Sequence, residues 1–291
     1  MRVLVTGGSG YIGAAVVEAL LAAGCEVTAL ARSPGSGERL RRAGCRVVSG
    51  DMRAPQAWLG GLGPLDAVIH TAATFDAEMA AADAALLDGL LEHAGRQVAQ
   101  GAARLRLVYT GGCWLYGPVG DRTAVEGAPF DPLRDFAYMV EQRARLFAAP
   151  EVAAYVVHPA MVWDEAGGAI ERFLEQARHG EAPQVVGAFE TRWPLVHRDD
   201  LAQLYLRAAA EGVDGADYHG VAERGVAVGE IAAAVSRRFN APAPVVQPLA
   251  EAVAALGDWA AGLAFDVTMD ATATRRDLGW APARPGILAS I

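Results

Sequence analysis

The chain opens with Arg2-Val3-Leu4-Val5-Thr6-Gly7-Gly8-Ser9-Gly10-Tyr11-Ile12-Gly13, in which a short apolar run passes directly into a glycine-rich turn. The run predicts a strand, and the residues after the turn predict a helix. Gly7 permits a tight turn between them, Gly10 removes the Cβ that would block a pyrophosphate, and Gly13 lets the helix pack closely on the strand. Because free N–H groups and the macrodipole attract anions to a helix start, the stretch predicts a dinucleotide-binding loop. A merely flexible glycine turn is the alternative.

Strands and helices alternate beyond this loop. Short apolar runs occur at residues 2–5, 26–30, 46–48, 67–70, 105–109 and 153–157. Several of the stretches between them lack proline and are rich in Ala, Leu, Glu and Arg, which are good helix formers. Runs of Val and Leu without strict polar alternation are typical of strands that are covered on both faces. The sequence therefore predicts an α/β fold with a doubly wound parallel sheet.

The regular alternation weakens after about residue 160, which suggests a second part of the chain. We expect residues 1–160 to form the dinucleotide-binding domain, with a return segment at about 194–220. Residues from about 161–193 and 221–291 are expected to form a smaller, mainly helical lobe that binds the substrate.

Composition excludes several classes of function. Of the 291 residues, 53% are apolar, and 34 acidic residues outnumber 25 basic ones for a net charge of −9. Nucleic-acid binding relies on cationic surface, so we expect no nucleic-acid partner. The apolar run at residues 3–5 is too short for a signal peptide or a membrane span, so we expect no membrane insertion. Cys25, Cys45 and Cys113 cannot all pair and lack metal-ligand spacing, which favours a reducing cytoplasm and no metal site.

The end of the second strand bears on which dinucleotide is bound. The stretch Thr28-Ala29-Leu30-Ala31-Arg32-Ser33 contains no carboxylate to bind a ribose 2′-hydroxyl, whereas Arg32 is suited to contact a 2′-phosphate. We therefore expect NADP(H) rather than NAD(H). The alternative for Arg32 is a solvated loop residue.

The glycine spacing G-x-x-G-x-x-G and a series of later motifs point to one family. In chain order these motifs are Gly50-Asp51-Met52, His70-Thr71-Ala72-Ala73, Leu115-Tyr116-Gly117, Val157-His158-Pro159, Val196-His197-Arg198-Asp199-Asp200-Leu201-Ala202 and Leu278-Gly279-Trp280-Ala281-Pro282. Over nearly its whole length the chain resembles the extended short-chain dehydrogenase/reductase family, which includes NAD-dependent sugar-nucleotide epimerases and dehydratases. The resemblance implies a Rossmann fold, a small-molecule substrate and a possible homodimer.

The loop geometry and the resemblance together give the expected cofactor contacts. They are Gly7, Gly10, Tyr11, Ile12, Gly13, Arg32, Asp51, Met52, Thr71, Ala72, Ala73, Tyr138 and Gln142.

In the resembled family a Ser or Thr, a Tyr and a Lys act together, with the Tyr and Lys spaced Y-x-x-x-K on one helix. Residues four apart share a helix face, so the ammonium can bind the nicotinamide ribose and lower the pKa of the phenol. Here Tyr138 matches, but Gln142 stands at the Lys position. Its amide can still hydrogen-bond the ribose, whereas it supplies no charge. Arg134, Arg143 and His70 are the candidate cations that would replace the lysine.

The family's Ser or Thr position falls on Gly112 when the motif is aligned on Tyr116 and Gly117. Thr110 is the nearest hydroxyl, and we expect it to orient the substrate oxygen because residues two apart on a strand point to the same side.

Four further residues are candidates for substrate binding, namely Cys113, Trp114, Trp163 and Arg192. Packing is the alternative for each of them. We expect Asp199 or Asp200 to be a helix N-cap and Trp280 to be a packing anchor. No spacing gathers three histidines, so His93, His158 and His197 are read as structural.

Three functions are compatible with these features. The first is an NADP(H)-dependent oxidoreductase that acts on a small carbonyl or alcohol, with Tyr138 as the proton donor or acceptor, Thr110 orienting the substrate and Gln142 holding the ribose. The second is a lyase, cyclase or isomerase of epimerase/dehydratase type without net redox chemistry. The third is a dinucleotide-sensing regulator without chemistry.

Overall fold

A computed structural model describes all residues, 1–291. The strands are β1 (Arg2–Thr6), β2 (Glu26–Ala31), β3 (Arg46–Ser49), β4 (Ala67–His70), β5 (Leu105–Thr110), β6 (Val152–Pro159), β7 (Met161–Asp164), β8 (Gly167–Gly168), β9 (Gln184–Val186), β10 (Arg192–His197), β11 (Ala216–Gly220), β12 (Glu223–Ala227) and β13 (Val245–Gln247). The helices are α1 (Tyr11–Ala22), α2 (Pro34–Ala43), α3 (Gln56–Leu59), α4 (Met79–Ala99), α5 (Tyr138–Ala148), α6 (Glu171–Arg178), α7 (Arg198–Glu211), α8 (Val228–Phe239), α9 (Leu249–Leu256), α10 (Thr272–Leu278) and α11 (Ile287–Ser290). Short 3-10 turns lie at Cys113–Tyr116, Arg134–Phe136 and Asp258–Ala264. None of the helices combines the length and apolar character needed to cross a bilayer.

Seven strands form one sheet in the order β11-β6-β5-β4-β1-β2-β3. Strand β1 pairs in parallel with β2 on one side and with β4 on the other, and β5 and β6 continue the parallel pairing. The strand order reverses at β1, with Thr6 and His70 paired at the carboxyl ends of β1 and β4. In such sheets the ligand binds outside the carboxyl ends of the strands at this reversal. The predicted doubly wound parallel sheet is confirmed.

The apolar character of the central strands explains why they lie in the middle of the sheet. Val3, Leu4 and Val5 have no solvent exposure, and the same holds for Val68 and Ile69 on the neighbouring strand. Full burial of one such side chain stabilises a protein by roughly 1.5–3 kcal/mol relative to exposure. Strands with two apolar faces therefore need helices on both sides, as the uninterrupted Val and Leu runs predict.

Two compact units make up the chain. The first contains Met1–Thr110, Glu141–Val157 and Ala202–Asp217, and the second contains Gly111–Val140, His158–Leu201 and Tyr218–Ile291. Residues 111–140 thus cluster with the second unit, although the strand and helix pattern predicts a first domain that extends to residue 160. Backbone hydrogen bonds explain the difference, because Val119 donates to the carbonyl of Asp266 and Ala124 donates to that of Thr268. Such pairing with a distant segment leaves no local sequence pattern.

The second unit contains strands in addition to the predicted helices. A four-stranded sheet has the order β12-β10-β7-β8, and β13 pairs with β9. The apolar core of this unit includes Trp163, Phe173, Trp193, Ile231 and Val235. Its strands are short, and some carry charged or glycine residues, which is why the sequence pattern did not reveal them.

The C-terminal segment is anchored by Asp200 and Trp280. Helix α7 begins before Asp199, so neither Asp199 nor Asp200 is its N-cap, and that prediction is wrong. The Asp200 carboxylate instead accepts a hydrogen bond from the N–H of Ala283 at 2.9 Å. Trp280 is buried and donates its indole N–H to the Asp200 carbonyl at 2.9 Å, in agreement with its predicted role as a packing anchor.

Candidate functional site

The turn after β1 leaves no room for a side chain at two of its glycines. Gly7 has a φ of +77°, and a Cβ on this residue would lie 2.6 Å from the backbone nitrogen of Ala72. A Cβ on Gly13 would lie 2.1 Å from the carbonyl oxygen of Gly7 and 2.8 Å from the hydroxyl oxygen of Thr71. Gly10 donates its N–H to the same Gly7 carbonyl at 2.9 Å. The backbone geometry therefore requires glycine at positions 7 and 13.

Helix α1 starts directly after this turn with Tyr11, Ile12 and Gly13. Its N-cap residue, Gly10, makes no side-chain capping hydrogen bond, and the first turn contains no acidic residue. No capping side chain therefore competes with an anion for the N–H groups of this helix start, where the macrodipole places roughly half a positive charge. These residues fit the pyrophosphate of a dinucleotide.

A buried polar network joins the ends of the strands on either side of the reversal. The Thr6 hydroxyl lies 2.7 Å from Nδ1 of His70, and Nε2 of His70 lies 2.9 Å from the Asp83 carboxylate. Tyr109 donates its hydroxyl to the same carboxylate at 3.0 Å, and Thr71 donates its hydroxyl to the Thr6 carbonyl at 2.8 Å. The network fixes the strand ends that carry the glycine turn and the segment after β4. Sequence reasoning missed Asp83, whose only signal is an acidic residue in an otherwise apolar stretch of α4.

Arg32 is the residue expected to select the dinucleotide. It follows β2 directly, is exposed, and has no carboxylate within ion-pair distance. The neighbouring Ser33 caps α2 by accepting the N–H of Ser36 at 3.2 Å. The guanidinium of Arg32 is therefore available to an external anion.

The loop after β3 is tied to the segment after β4 by an arginine. The Asp51 carboxylate accepts the N–H of Arg53 at 2.9 Å, and the Arg53 side chain pairs with Asp76 at 2.5 Å. The other predicted cofactor contacts of these loops differ in exposure, since Met52 is buried, Thr71 and Ala72 are partly buried and Ala73 is exposed.

Tyr138 and Gln142 lie one turn apart on α5, and both are partly buried. The side-chain oxygen Oε1 of Gln142 is buried and has no hydrogen-bond donor in the protein. An unsatisfied buried acceptor typically costs about 1–3 kcal/mol. The hydroxyls of a ribose are donors that would satisfy it, so the residue at the lysine position fits a nicotinamide ribose.

Two of the three candidate cations are already paired with carboxylates. Arg143 donates Nε to Asp217 at 2.7 Å, and the His70 ring contacts Asp83. These carboxylates offset the positive charge that a replacement for the lysine would have to supply. Arg134 is exposed in the 3-10 turn that precedes α5.

The Thr110 hydroxyl has two partners within the first unit. It donates to the His70 carbonyl at 2.7 Å and lies 2.7 Å from the Tyr205 hydroxyl. Burial raises the pKa of Tyr205, so that phenol is protonated and available as a donor to Thr110. A hydroxyl has one donor and two acceptor positions, so one acceptor position of Thr110 remains for a substrate donor.

Gly112, at the family's Ser or Thr position, has space for a side chain. Its φ is 178°, which any residue adopts, and a Cβ on it would meet no atom within 4 Å. The adjacent Gly111 differs, because a Cβ there would lie 2.5 Å from Nδ1 of His158. The structure therefore has room for a serine or threonine side chain at position 112, and glycine is not required there for steric reasons.

The four predicted substrate-binding residues have different surroundings. Burial raises the pKa of the Cys113 thiol to about 12, so the thiol is protonated and weakly nucleophilic at neutral pH. Trp163 is buried in the apolar core. Arg192 pairs with Asp266 at 2.7 Å and donates to the Gly120 carbonyl at 2.7 Å. Trp114 lines a cavity of about 400 Å³ that lies within the second unit.

No group of three or more His, Cys, Asp or Glu side chains is arranged to hold a metal ion. The groups of the first unit that are available to a cofactor are the glycines of the turn, the main-chain amides at the start of α1 and the Gln142 carboxamide.

Comparison with known proteins identifies the family of the chain. The model of the NAD-dependent epimerase/dehydratase family matches residues 3–220. The chain belongs to this family. An uncharacterized protein of Schizosaccharomyces pombe is 29% identical over 295 residues, which cover 100% of this chain and 98% of that protein.

Two solved structures show the same fold as this family member. The dTDP-glucose 4,6-dehydratase DesIV of Streptomyces venezuelae, a double mutant with NAD bound, has a TM-score of 0.81 at 20% identity and covers 98% of this chain and 92% of its own. The human epimerase family protein SDR39U1 with NADPH has a TM-score of 0.74 at 23% identity and covers 100% of this chain and 97% of its own. The predicted family is confirmed, and so is the prediction of an oxidoreductase or epimerase/dehydratase-like enzyme. A nicotinamide dinucleotide is the cofactor that the family indicates.

Proposed function

We propose that the protein is an NADP(H)-dependent oxidoreductase that acts on a small carbonyl or alcohol substrate. Tyr138 is the proton donor or acceptor, and Gln142 holds the nicotinamide ribose in place of the family's lysine. The observation that carries this proposal is the buried Oε1 of Gln142, which has no donor in the protein and lies one helical turn from Tyr138. A ribose hydroxyl would complete its hydrogen bonding.

Different residues bind the dinucleotide and transfer the proton. The first turn of α1 binds the pyrophosphate beside Gly7 and Gly13, and Arg32 binds the 2′-phosphate. When NADPH is bound, it supplies the hydride that is added to a carbonyl carbon. Tyr138 gives its proton to the carbonyl oxygen.

The missing lysine favours the reductive direction. The pKa of a tyrosine side chain ordinarily lies near 10, and a neighbouring cation lowers such a pKa by about 1–3 units. Gln142 carries no charge to do this. Reduction needs a protonated phenol, whereas oxidation needs the phenolate, so we propose that the enzyme works mainly as a carbonyl reductase.

Turnover with a panel of ketones and aldehydes tests the proposal through the nicotinamide absorbance. We expect oxidation of NADPH by the native protein and a loss of at least about a hundredfold in kcat for Tyr138→Phe, in line with the usual contribution of general acid catalysis. Undiminished turnover by Tyr138→Phe, with NADPH affinity unchanged, would overturn the role of the phenol.

Preference for NADP(H) rests on Arg32, which is exposed and has no carboxylate partner. Titration with NADPH and NADH measures the preference directly. Arg32→Ala is expected to weaken NADPH binding about 10- to 100-fold, because a charged hydrogen bond contributes roughly 1.5–3 kcal/mol, and to leave NADH binding unchanged. Arg39→Ala, an exposed arginine on α2, is the matched control. Tighter binding of NADH by the native protein would contradict the proposal.

A second candidate is a lyase, cyclase or isomerase without net redox change. The absence of both the lysine and the hydroxyl at Gly112 favours it, since two of the three family positions differ. The product mass distinguishes the two functions, because reduction adds two hydrogen atoms and isomerisation adds none. A regulator without chemistry would bind the dinucleotide and show neither change.

We propose a cytoplasmic location because Cys25, Cys45 and Cys113 are all buried free thiols, as expected in a reducing compartment. The expected homodimer is checked by light scattering of the purified protein, and the expected lack of nucleic-acid binding is checked by a gel-shift assay.

A further inference from the structure

The cavity in the second unit has an aromatic lining that the proposed reduction does not by itself explain. Trp114 and Trp259 are stacked with ring centroids 6.2 Å apart and an interplanar angle of 26°. Phe173 and Trp193 are stacked at 6.0 Å with an interplanar angle of 4°. All four side chains line the cavity. Aromatic faces favour flat, conjugated ligands, because such rings stack on them and bury apolar area.

The indole N–H of Trp193 already has a hydrogen-bond acceptor within the protein. Trp193 donates its indole N–H to the Leu263 carbonyl at 3.0 Å. Trp114 packs closely on the backbone, since a Cβ on Gly262 would lie 2.5 Å from its indole. These contacts fix the two rings in place before a ligand binds, which reduces the entropy lost on binding.

One arginine in the cavity wall lacks a counter-charge. Arg172 is partly buried, and burial lowers its pKa from the usual value. Its guanidinium is held by the side-chain oxygen of Gln247 at 2.8 Å and by the Gln184 carbonyl, both of which are neutral. No carboxylate forms an ion pair with it. A single anionic group on a ligand would supply the missing charge.

The other charged residues of the lining oppose a highly charged ligand. Glu171 and Glu175 face the same cavity as Arg172, so the lining carries two negative charges and one positive charge. A nucleoside diphosphate carries at least two negative charges on its pyrophosphate, and it would meet repulsion from both carboxylates. A ligand with one negative charge placed at Arg172 avoids this.

The cavity lies close in sequence to the position of the missing hydroxyl. Trp114 follows Gly112 by two residues, and two residues of extended chain span at most about 7 Å. One ring of the cavity and the position of the missing hydroxyl therefore belong to the same short segment of the chain.

We propose that this cavity is the substrate site and that it takes a planar aromatic ketone with one carboxylate, rather than a sugar nucleotide. The ring packs against the surfaces of Trp114 and Trp259 that line the cavity, and the carboxylate pairs with Arg172. The ketone lies at the other end of the ring. This inference rests on the proposed function for its chemistry, in which hydride is added to the ketone carbon and a proton from Tyr138 to its oxygen, giving a secondary alcohol and NADP⁺.

Calorimetric titration of the full chain with 6-acetyl-2-naphthoate, 2-acetylnaphthalene and UDP-glucose tests it. We expect 6-acetyl-2-naphthoate to bind at least tenfold more tightly than UDP-glucose. Arg172→Gln should weaken binding of the carboxylate ligand about tenfold and leave the uncharged 2-acetylnaphthalene unaffected. Arg178→Gln, an exposed change on the same helix, is the control and should alter neither.

A pair of substitutions at Trp259 tests the contribution of the aromatic lining of the cavity. Trp259→Ala should weaken both naphthyl ligands about tenfold, and Trp259→Phe should restore most of the affinity because a ring is retained. Thermal unfolding of each variant identifies any that fails to fold. We expect both Trp259 variants to fold, because this side chain is partly exposed. Tighter binding of UDP-glucose, or naphthyl affinities unchanged in Trp259→Ala and Arg172→Gln, would overturn the inference.

The two proposals fail in different ways. Failure of the cavity inference alone would leave NADPH binding and ketone reduction intact while the naphthyl ligands do not bind. Failure of the proposed function alone would leave naphthyl binding and its dependence on Arg172 intact while NADPH is not consumed.

Discussion

Replacing Gln142 by lysine should move the pH dependence of alcohol oxidation toward lower pH. The substitution restores a cation one helical turn from Tyr138, and side chains four residues apart on a helix have Cβ atoms about 6 Å apart. At that separation and an effective dielectric constant of about 20, two unit charges interact by about 3 kcal/mol. This corresponds to a lowering of the phenol pKa by roughly two units.

The sign follows from the direction of the reaction. Oxidation requires the phenolate, so its rate rises with pH and reaches half its plateau at the pKa of the phenol. A lower pKa shifts that midpoint to lower pH by about two units and raises the oxidation rate at neutral pH up to about a hundredfold. Reduction, which uses the protonated phenol, should begin to fall at a correspondingly lower pH.

The assay is the pH profile of kcat for oxidation of a secondary alcohol with NADP⁺, measured for the native protein and three variants. Gln142→Met removes the hydrogen-bonding amide without adding charge, and Ala144→Lys adds an exposed charge elsewhere on α5. A midpoint unchanged in Gln142→Lys, or shifted equally in Ala144→Lys, would refute the electrostatic argument.

Three further outcomes are expected. Gly13→Ala should abolish NADPH binding in a fluorescence titration, because its Cβ would lie 2.1 Å from the Gly7 carbonyl oxygen, whereas Gly35→Ala, which meets no atom within 4 Å, should bind normally. Gly112→Ser should keep the melting temperature of the protein and raise the reduction rate by supplying a hydroxyl. Gly111→Ser should lower the melting temperature because its Cβ meets the His158 ring. Equal melting temperatures for the two variants would contradict the geometry. Cys113 should resist iodoacetamide at pH 8 in the native protein and react after unfolding, and rapid labelling of the native protein would show that the thiol is accessible. Burial raises the pKa of the thiol from 9.0 to about 12, so its contribution to the free energy of unfolding is lost as the pH rises through that range.

The fold and the glycine turn could be predicted because their determinants are local. The strand, the turn and the helix start occupy consecutive residues. Glycine is needed at position 13 because of the Gly7 carbonyl in the same turn, and at position 7 because of its φ of +77°. Apolar runs likewise report burial of a strand on both faces, without any knowledge of which strand lies beside it.

Side-chain partners far apart in sequence could not be predicted in this way. Thr110 meets Tyr205, and Arg192 is bound by Asp266, through contacts that only the folded chain creates. The same holds for Asp83, which an apolar helix pattern would assign to a surface position although it accepts two buried hydrogen bonds. The sequence indicates which side chains could take part in chemistry. Only the folded structure shows which of these side chains are already hydrogen-bonded or ion-paired to another residue.

The departures at positions 112 and 142 are compatible with a single chemical task. A phenol without a lysine one helical turn away keeps its proton more readily, and donation of that proton is what carbonyl reduction requires. A ketone conjugated to an aromatic ring gains much of its binding from stacking on Trp114 and Trp259, so it depends less on a hydroxyl at position 112 for orientation. A substrate whose ketone is not conjugated to a ring has no π-system beside the carbonyl to stack on these side chains, so it would depend on that hydroxyl more heavily. The loss of the two polar groups and the aromatic lining of the cavity therefore favour the same substrate class, and restoring serine at position 112 should benefit non-aromatic ketones more than naphthyl ketones in a comparison of kcat/KM.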